Sequence, residues 1–269
     1  SALVTVNGKI YKSEPFDISV KDGGSRNSDA EYLAKDVYLN LEISDKNVYE
    51  NQPTVAVLRA YSKNFDNFRK LDNIKVTEQS DATIKPISLK KQEIETKDDS
   101  DYSSQVIATF IIFPEKSGNV EIEPVSALVK NPELNKLVSN KVKINVKTLP
   151  EGSPENFKNT VGNFNVSIEA IDAPKNIEIN KPMNVLVKIA GQGNLDANKL
   201  PEIIQSDDYT FFKPKITSKL STNKDGVKGV IAATYVLIPK KQGKISINTE
   251  RFSFFDPNLK KYVDIGVKS

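Results

Sequence analysis

The sequence predicts an all-β chain built as a tandem array of antiparallel β-sandwich domains. Three observations carry this: short stretches alternate apolar and polar residues, turn-forming residues punctuate them, and one block recurs 125 residues further on. Alternation at period two sets one face of a strand on a core and the other in water. Leu39, Leu41 and Ile43 make one such face, Ile122 with Val125 another, and Val142, Ile144 and Val146 a third. Between them stand Asp22-Gly23-Gly24, Lys116-Ser117-Gly118-Asn119, Asn131-Pro132, Lys224-Asp225-Gly226 and Asp256-Pro257-Asn258, residues that supply the backbone angles of turns. No long window carries a helical stripe. The best helical segment is Ser28 to Lys35, where Ser28 caps and Glu31 follows three residues on, a capping-box pattern that predicts one or two turns.

The repeat fixes the organisation. Thr109-Phe110-Ile111-Ile112-Phe113-Pro114 and Gly118 align with Thr234-Tyr235-Val236-Leu237-Ile238-Pro239 and Gly243, and the same offset carries Leu39, Leu41 and Ile43 onto Phe164, Val166 and Ile168. Asn51-Gln52-Pro53 matches Asn180-Lys181-Pro182 after an insertion near Ala173-Pro174. The block itself reads as an apolar strand, a proline that ends pairing, a glycine turn and a second strand, which predicts a hairpin. Several short strands in units of about 100 residues fit immunoglobulin-like sandwiches. Ser1-Ala2-Leu3-Val4 repeats Ser126-Ala127-Leu128-Val129, and Phe16, Ile18 and Val20 echo Val142, Ile144 and Val146. The expected division is therefore 1–36, a closing hairpin of a preceding sandwich plus linker; 37–148, a sandwich; 149–163, a linker; and 164–269, a second sandwich. Its closing strand is expected to be incomplete. Phe157 and Val161, in the linker, are expected to be buried where the sandwiches meet.

Composition removes several function classes. At 269 residues the chain exceeds one ordinary core, since domains settle at roughly 100–200 residues. The 38 Lys and Arg and 35 Asp and Glu, net +3, are interspersed, so no field of one sign draws nucleic acid or anionic lipid. No apolar run reaches the ~20 residues that span a bilayer, and Ser1 opens no signal peptide. There is no cysteine and no histidine. That excludes disulfides, thiolate zinc sites, cysteine nucleophiles and a Ser-His-Asp triad. Paired carboxylates or a Ser-Lys dyad need no histidine, yet no segment sets such groups beside a pocket motif. The expectation is no enzyme, no catalytic, cofactor-binding or metal-ligating residue, no cofactor and no small-molecule substrate.

Leu149-Pro150, Pro154, Phe157 and Val161-Gly162-Asn163-Phe164 are followed by Gly191-Gln192-Gly193-Asn194-Leu195 and Pro201. Tyr235-Val236-Leu237-Ile238-Pro239 with Gly243, then Phe252-Ser253-Phe254-Phe255-Asp256-Pro257 and Tyr262, complete the order. In this order and spacing they resemble BatD, the bacterial aerotolerance or oxygen-tolerance family, and Val6-Asn7-Gly8-Lys9 with Ser13-Glu14-Pro15 resembles the close of that family's preceding domain. The resemblance covers nearly the whole chain, most firmly from Leu149 onward. It implies an exported protein whose sandwiches face the periplasm, held by a C-terminal transmembrane helix absent from this sequence. It also implies protein partners, the von Willebrand factor A-domain membrane proteins of the same gene cluster, together with a MoxR-type ATPase. No catalytic residue comes with it. The competing reading is a carbohydrate-binding or adhesive module of a bacterial surface protein.

Four residues form the candidate interaction loop: Gly191, Gln192, Gly193 and Asn194. A phosphate cradle would need a helix after the glycines, and no helical pattern follows. The plainer reading is a tight strand end with Leu195 returning to the core. Asp98-Asp99-Ser100-Asp101 offers calcium-type oxygens without the glycine and distal glutamate of an EF-hand loop, and reads as a solvated tip. Phe211-Phe212, Phe252, Phe254 and Phe255 read as core packing before a sugar platform, and Lys240-Lys241 and Lys260-Lys261 as solvated turns.

Overall fold

The computed structural model describes residues 3–6, 9–12, 37–96, 101–130, 135–171, 177–223 and 226–269. Phe16, Ile18, Val20, the segment Ser28 to Lys35, and the turns at Asp22 and Asn131 lie outside the described residues, as do Ala173-Pro174 and Lys224-Asp225. The chain divides into residues 1–36 and residues 37–269. In the first unit, β1 (Leu3–Val6) pairs antiparallel with β2 (Lys9–Lys12), Leu3 opposite Lys12 and Val6 opposite Lys9.

The second unit opens with β3 (Val37–Ile43), β4 (Asn47–Tyr49), β5 (Thr54–Ser62) and helix α1 (Phe65–Lys70). It continues with β6 (Leu71–Val76), β7 (Ala82–Ser88), β8 (Ile94–Glu95) and β9 (Ser103–Pro114). Then come β10 (Gly118–Ile122), β11 (Val125–Val129), β12 (Asn135–Val138) and β13 (Val142–Lys147). One sheet runs β3-β5-β9-β7, with β8 also on β9, and two smaller sheets run β10-β13-β4 and β12-β11-β6. Leu39, Leu58 and Phe110 from the large sheet share one core with Ile122, Val125 and Ile144 from the small ones. Strand β13 shows the period-two rule directly, Val142, Ile144 and Val146 buried and the residues between them exposed.

The remainder holds β14 (Gly162–Ile171), β15 (Met183–Gly193), β16 (Tyr209–Phe211), β17 (Lys215–Asn223), β18 (Gly226–Pro239), β19 (Phe252–Asp256) and β20 (Lys261–Gly266). Strand order β14-β15-β18-β16, with β17 also on β18, repeats the large sheet of the first sandwich. The hairpin β19-β20 shares its core, where the Phe164 ring meets Phe252 and Phe254 edge to face at 6.4 and 5.6 Å. The fold is thus all-β, its sheets packed as sandwiches and antiparallel apart from the parallel β13-β4 pair.

Corresponding backbone bonds hold the two copies in the same form. Asn51 and Asn180 both have φ 63°, a left-handed angle that asparagine tolerates better than most residues. Their N–H groups donate to the carbonyls of Pro114 and Pro239 at 2.7 and 2.9 Å, and the next residues, Gln52 and Lys181, close turns onto Tyr49 and Glu178.

Two local expectations fail. The block around Pro114 and Gly118 is not a hairpin, because β9 belongs to the large sheet while β10 pairs with β13. Val120 and Ile122 enter the core from the layer opposite Phe110 and Ile112. The proline and glycine turn the chain across the core instead of back beside itself. In the second copy, residues 243–247 form no strand at all. Helix α1 was not anticipated; Asn64 caps it by accepting from Asp66 N at 2.9 Å, and Phe68 anchors it in the core.

Candidate interaction site at the sandwich junction

Gly191, Gln192 and Gly193 are not a loop. They end β15, with Phe164, Asn163 and Gly162 of β14 on one side and Gly229, Lys228 and Val227 of β18 on the other. The glycines are needed because the sheet is crowded there. A Cβ on Gly193 would overlap the Val161 carbonyl and come within 2.7 Å of the Phe164 ring and Gly162 Cα. Its φ of 150° is open in practice only to glycine. The Phe164 ring thus covers the glycines, filling space that side chains would take in an ordinary strand. Leu195 drops back into the core at 6% exposure.

Asn194 is a buried brace. Its Oδ1 accepts from Val161 N at 2.8 Å, its Nδ2 donates to Asn159 O at 2.7 Å, and its own N–H donates to Val161 O. Lys199 adds to it, donating from Nζ to the carbonyls of Lys158 and Asn159 at 2.6 and 3.0 Å. Burial pushes the Lys199 pKa below the ordinary lysine value, against the opposing pull of Asp196. The chain between the sandwiches is therefore fastened at 158–161. Asn194→Ala strands the buried Val161 N–H, while Asn159 O keeps its bond from Lys199, and is expected to lower stability by about 1–3 kcal/mol. Urea unfolding checks this, and a change under about 0.5 kcal/mol, the level of an ordinary surface substitution, would contradict the brace.

The sandwiches meet on aromatic rings. Phe255, fully buried, packs between Tyr49 of the first sandwich, with centroids 4.8 Å apart, and Tyr262 at 5.3 Å. Its N–H donates to Thr160 O at 2.8 Å, and Val161 bridges it in parallel. Phe157 is half-buried, edge-on to Tyr262, whose hydroxyl donates to Pro150 O at 2.8 Å. Beside this cluster, Ile111 of β9 joins the core of the second sandwich, with Phe113 packed against it. A cleft of about 430 Å³ remains between Ser44, Pro53 and Thr54 on one side and Gly162, Asn163 and Gln192 on the other. Among the candidate residues, Gln192 and Gly193 line that cleft.

The other candidates scatter. Phe252, Phe254 and Phe255 are buried and Phe211 half-buried, while Phe212 is 56% exposed. Asp101 pairs with Lys63 at 3.5 Å, and Asp98, Asp99 and Ser100 lie outside the described residues. Lys240, Lys241, Lys260 and Lys261 are exposed. The buried carboxylate of Asp256 accepts from Asn163, Asn258 and Leu259, which explains the Asp256-Pro257 turn. Sequence reasoning missed Tyr49 and Pro53 as junction residues; the only signal was their position beside the repeated Asn51. Among the described residues no helix is long and apolar enough to cross a membrane.

No curated protein matches the chain. Residues 170–264 match the family described as BatD DUF11 like domain. That segment runs from the end of β14 into β20 and contains the glycine-rich end of β15, Asn194 and Phe255. Over that segment the chain carries a domain similar to those of the BatD family.

Proposed function

We propose that this BatD-like envelope protein is a non-catalytic periplasmic scaffold. It is membrane-anchored, and its sandwich surfaces bind von Willebrand factor A-domain membrane proteins in stress or oxygen tolerance. The observation that carries the reading is the junction. A BatD domain is joined to a second sandwich through a fully buried ring, Phe255, and a linker fastened by Asn194. Burial of that kind favours one relative orientation, which suits a part that presents surfaces to partners more than a flexible tether. The absence of histidine and cysteine supports a role without acid–base or thiol chemistry.

The test is purification of the full-length protein from its own membranes in mild detergent after crosslinking, with a glycan array run in parallel. Recovery of von Willebrand-type membrane proteins, with no glycan signal, is the expected result. Recovery of the protein alone, or specific glycan binding without protein partners, would overturn the scaffold reading.

A further inference from the structure

One edge of the second sandwich is a long strand with a single neighbour. Strand β17 (Lys215–Asn223) pairs with β18 in an unbroken register, Lys215 opposite Thr234 and Asn223 opposite Gly226, and among the described residues no other strand lies on its far side. Residues 215–221 are all exposed, on both faces of the sheet. Backbone N–H and C=O groups left open along an edge recruit another strand unless that edge is broken or guarded. The edge strand β7 of the first sandwich is broken, by Pro86 and by a register shift between Pro86 and Ser88. The first-sandwich strand in the place of β17 is β8, which has two residues. Strand β17 has nine, with no proline and no shift.

Ile216, Ser218 and Leu220 stand opposite Ala233, Ile231 and Gly229 of β18, so they share the face on which Ala233 and Ile231 enter the core. That core ends at β18, since Ala233 is 0% exposed while Ile216 is 45% and Leu220 46% exposed. The strand is nevertheless seated closely, because a Cβ on Gly229 would overlap the Lys219 carbonyl and stand 3.0 Å from the Leu220 side chain. Lys215 and Lys219 alternate with these residues and belong to the other face. The inward face thus carries two bare apolar side chains four residues apart, and none of the inward charges that guard an edge. A two-fold axis through Ser218, perpendicular to the sheet, uses that spacing. It sets Ile216 opposite Leu220 of the second copy, Leu220 opposite its Ile216, and each Lys219 opposite Thr217. Moving the axis one residue either way sets Lys219 on Lys219, or Lys215 on Lys219, and like charges directly opposite each other are unfavourable. Of the three registers about the middle of the strand, one avoids that opposition and pairs the apolar side chains.

We propose that β17 pairs antiparallel with β17 of a second copy about a two-fold axis at Ser218, joining two five-stranded sheets into one. A contact of one strand pair is small, and its dissociation constant should fall at about 0.1–1 mM. Sedimentation velocity of the chain from micromolar to millimolar concentration tests it. The parent should reach a dimer and no larger species, because an isologous contact closes on itself. Ile216→Lys or Leu220→Glu alone should weaken the dimer about tenfold or more, since each removes both apolar cross-strand pairs. The two substitutions in one chain should restore association, because the axis sets each added ammonium group opposite an added carboxylate. The chain has no cysteine, so Ser218→Cys should give a disulfide-linked dimer on diamide treatment, whereas Lys213→Cys, exposed but distant from the axis, should not. A parent that stays monomeric at millimolar concentration, association that either single variant retains, a double variant no better than the singles, or equal crosslinking of the two cysteine variants would overturn the proposal.

Discussion

Gly193→Val is expected to destabilise the BatD-matching sandwich by more than about 4 kcal/mol, the range of substitutions that force backbone strain and overlap together. The new Cβ would meet the Val161 carbonyl, Gly162 Cα and the Phe164 ring. Two of these are backbone atoms, at the start of β14 and in the residue before it, which cannot swing aside as a flexible side chain would. Gly118 supplies the comparison, since its φ is also positive, at 104°, but nothing lies within 4 Å of an added Cβ. Gly118→Ala should therefore lose only about 1–2 kcal/mol, the left-handed penalty of an ordinary residue. Urea unfolding of the two variants separates the cases. Equal losses would mean that crowding beneath Phe164 is not the reason for glycine at Gly193.

Phe255→Ala is expected to cost about 3–5 kcal/mol, the usual range for emptying a buried aromatic site. Its effect should reach both sandwiches, because the ring touches Tyr49 on one side and Tyr262 on the other. The parent should unfold in one transition where the junction couples the two cores. In the variant that transition should split into two, read by denaturant titration with far- and near-ultraviolet circular dichroism. A variant that still unfolds in a single step at nearly the parental midpoint would show that the ring contributes little to the coupling.

The fold class was legible because strand burial follows side-chain parity, and residues such as Val142, Ile144 and Val146 state that parity without reference to partners. The match of Asn51 with Asn180 was legible only as part of the repeat, and the structure supplies its cause, a left-handed angle that narrows the choice of residue. The path after Pro114 was not. A proline followed by a glycine turn can reverse a chain beside itself or carry it across a core, and only the partners of β10 decide between them. The glycines of β15 had two readings, an interaction loop and, more plainly, a tight strand end, and the structure has the strand end. Its cause, the Phe164 ring and β14 backbone, is supplied from elsewhere in the chain. Helix α1 spans six residues, too few to show a periodic stripe.

The central claim is that the junction holds the BatD domain and its neighbouring sandwich in one orientation. The chain has no cysteine, so spin labels placed by Lys143→Cys and Lys219→Cys, both exposed positions, would be the only ones present. Pulsed dipolar spectroscopy of the doubly labelled protein then reads the distance between the sandwiches. A single narrow distribution that broadens in Phe255→Ala is the result predicted here. A broad distribution in the otherwise unaltered protein would contradict the claim.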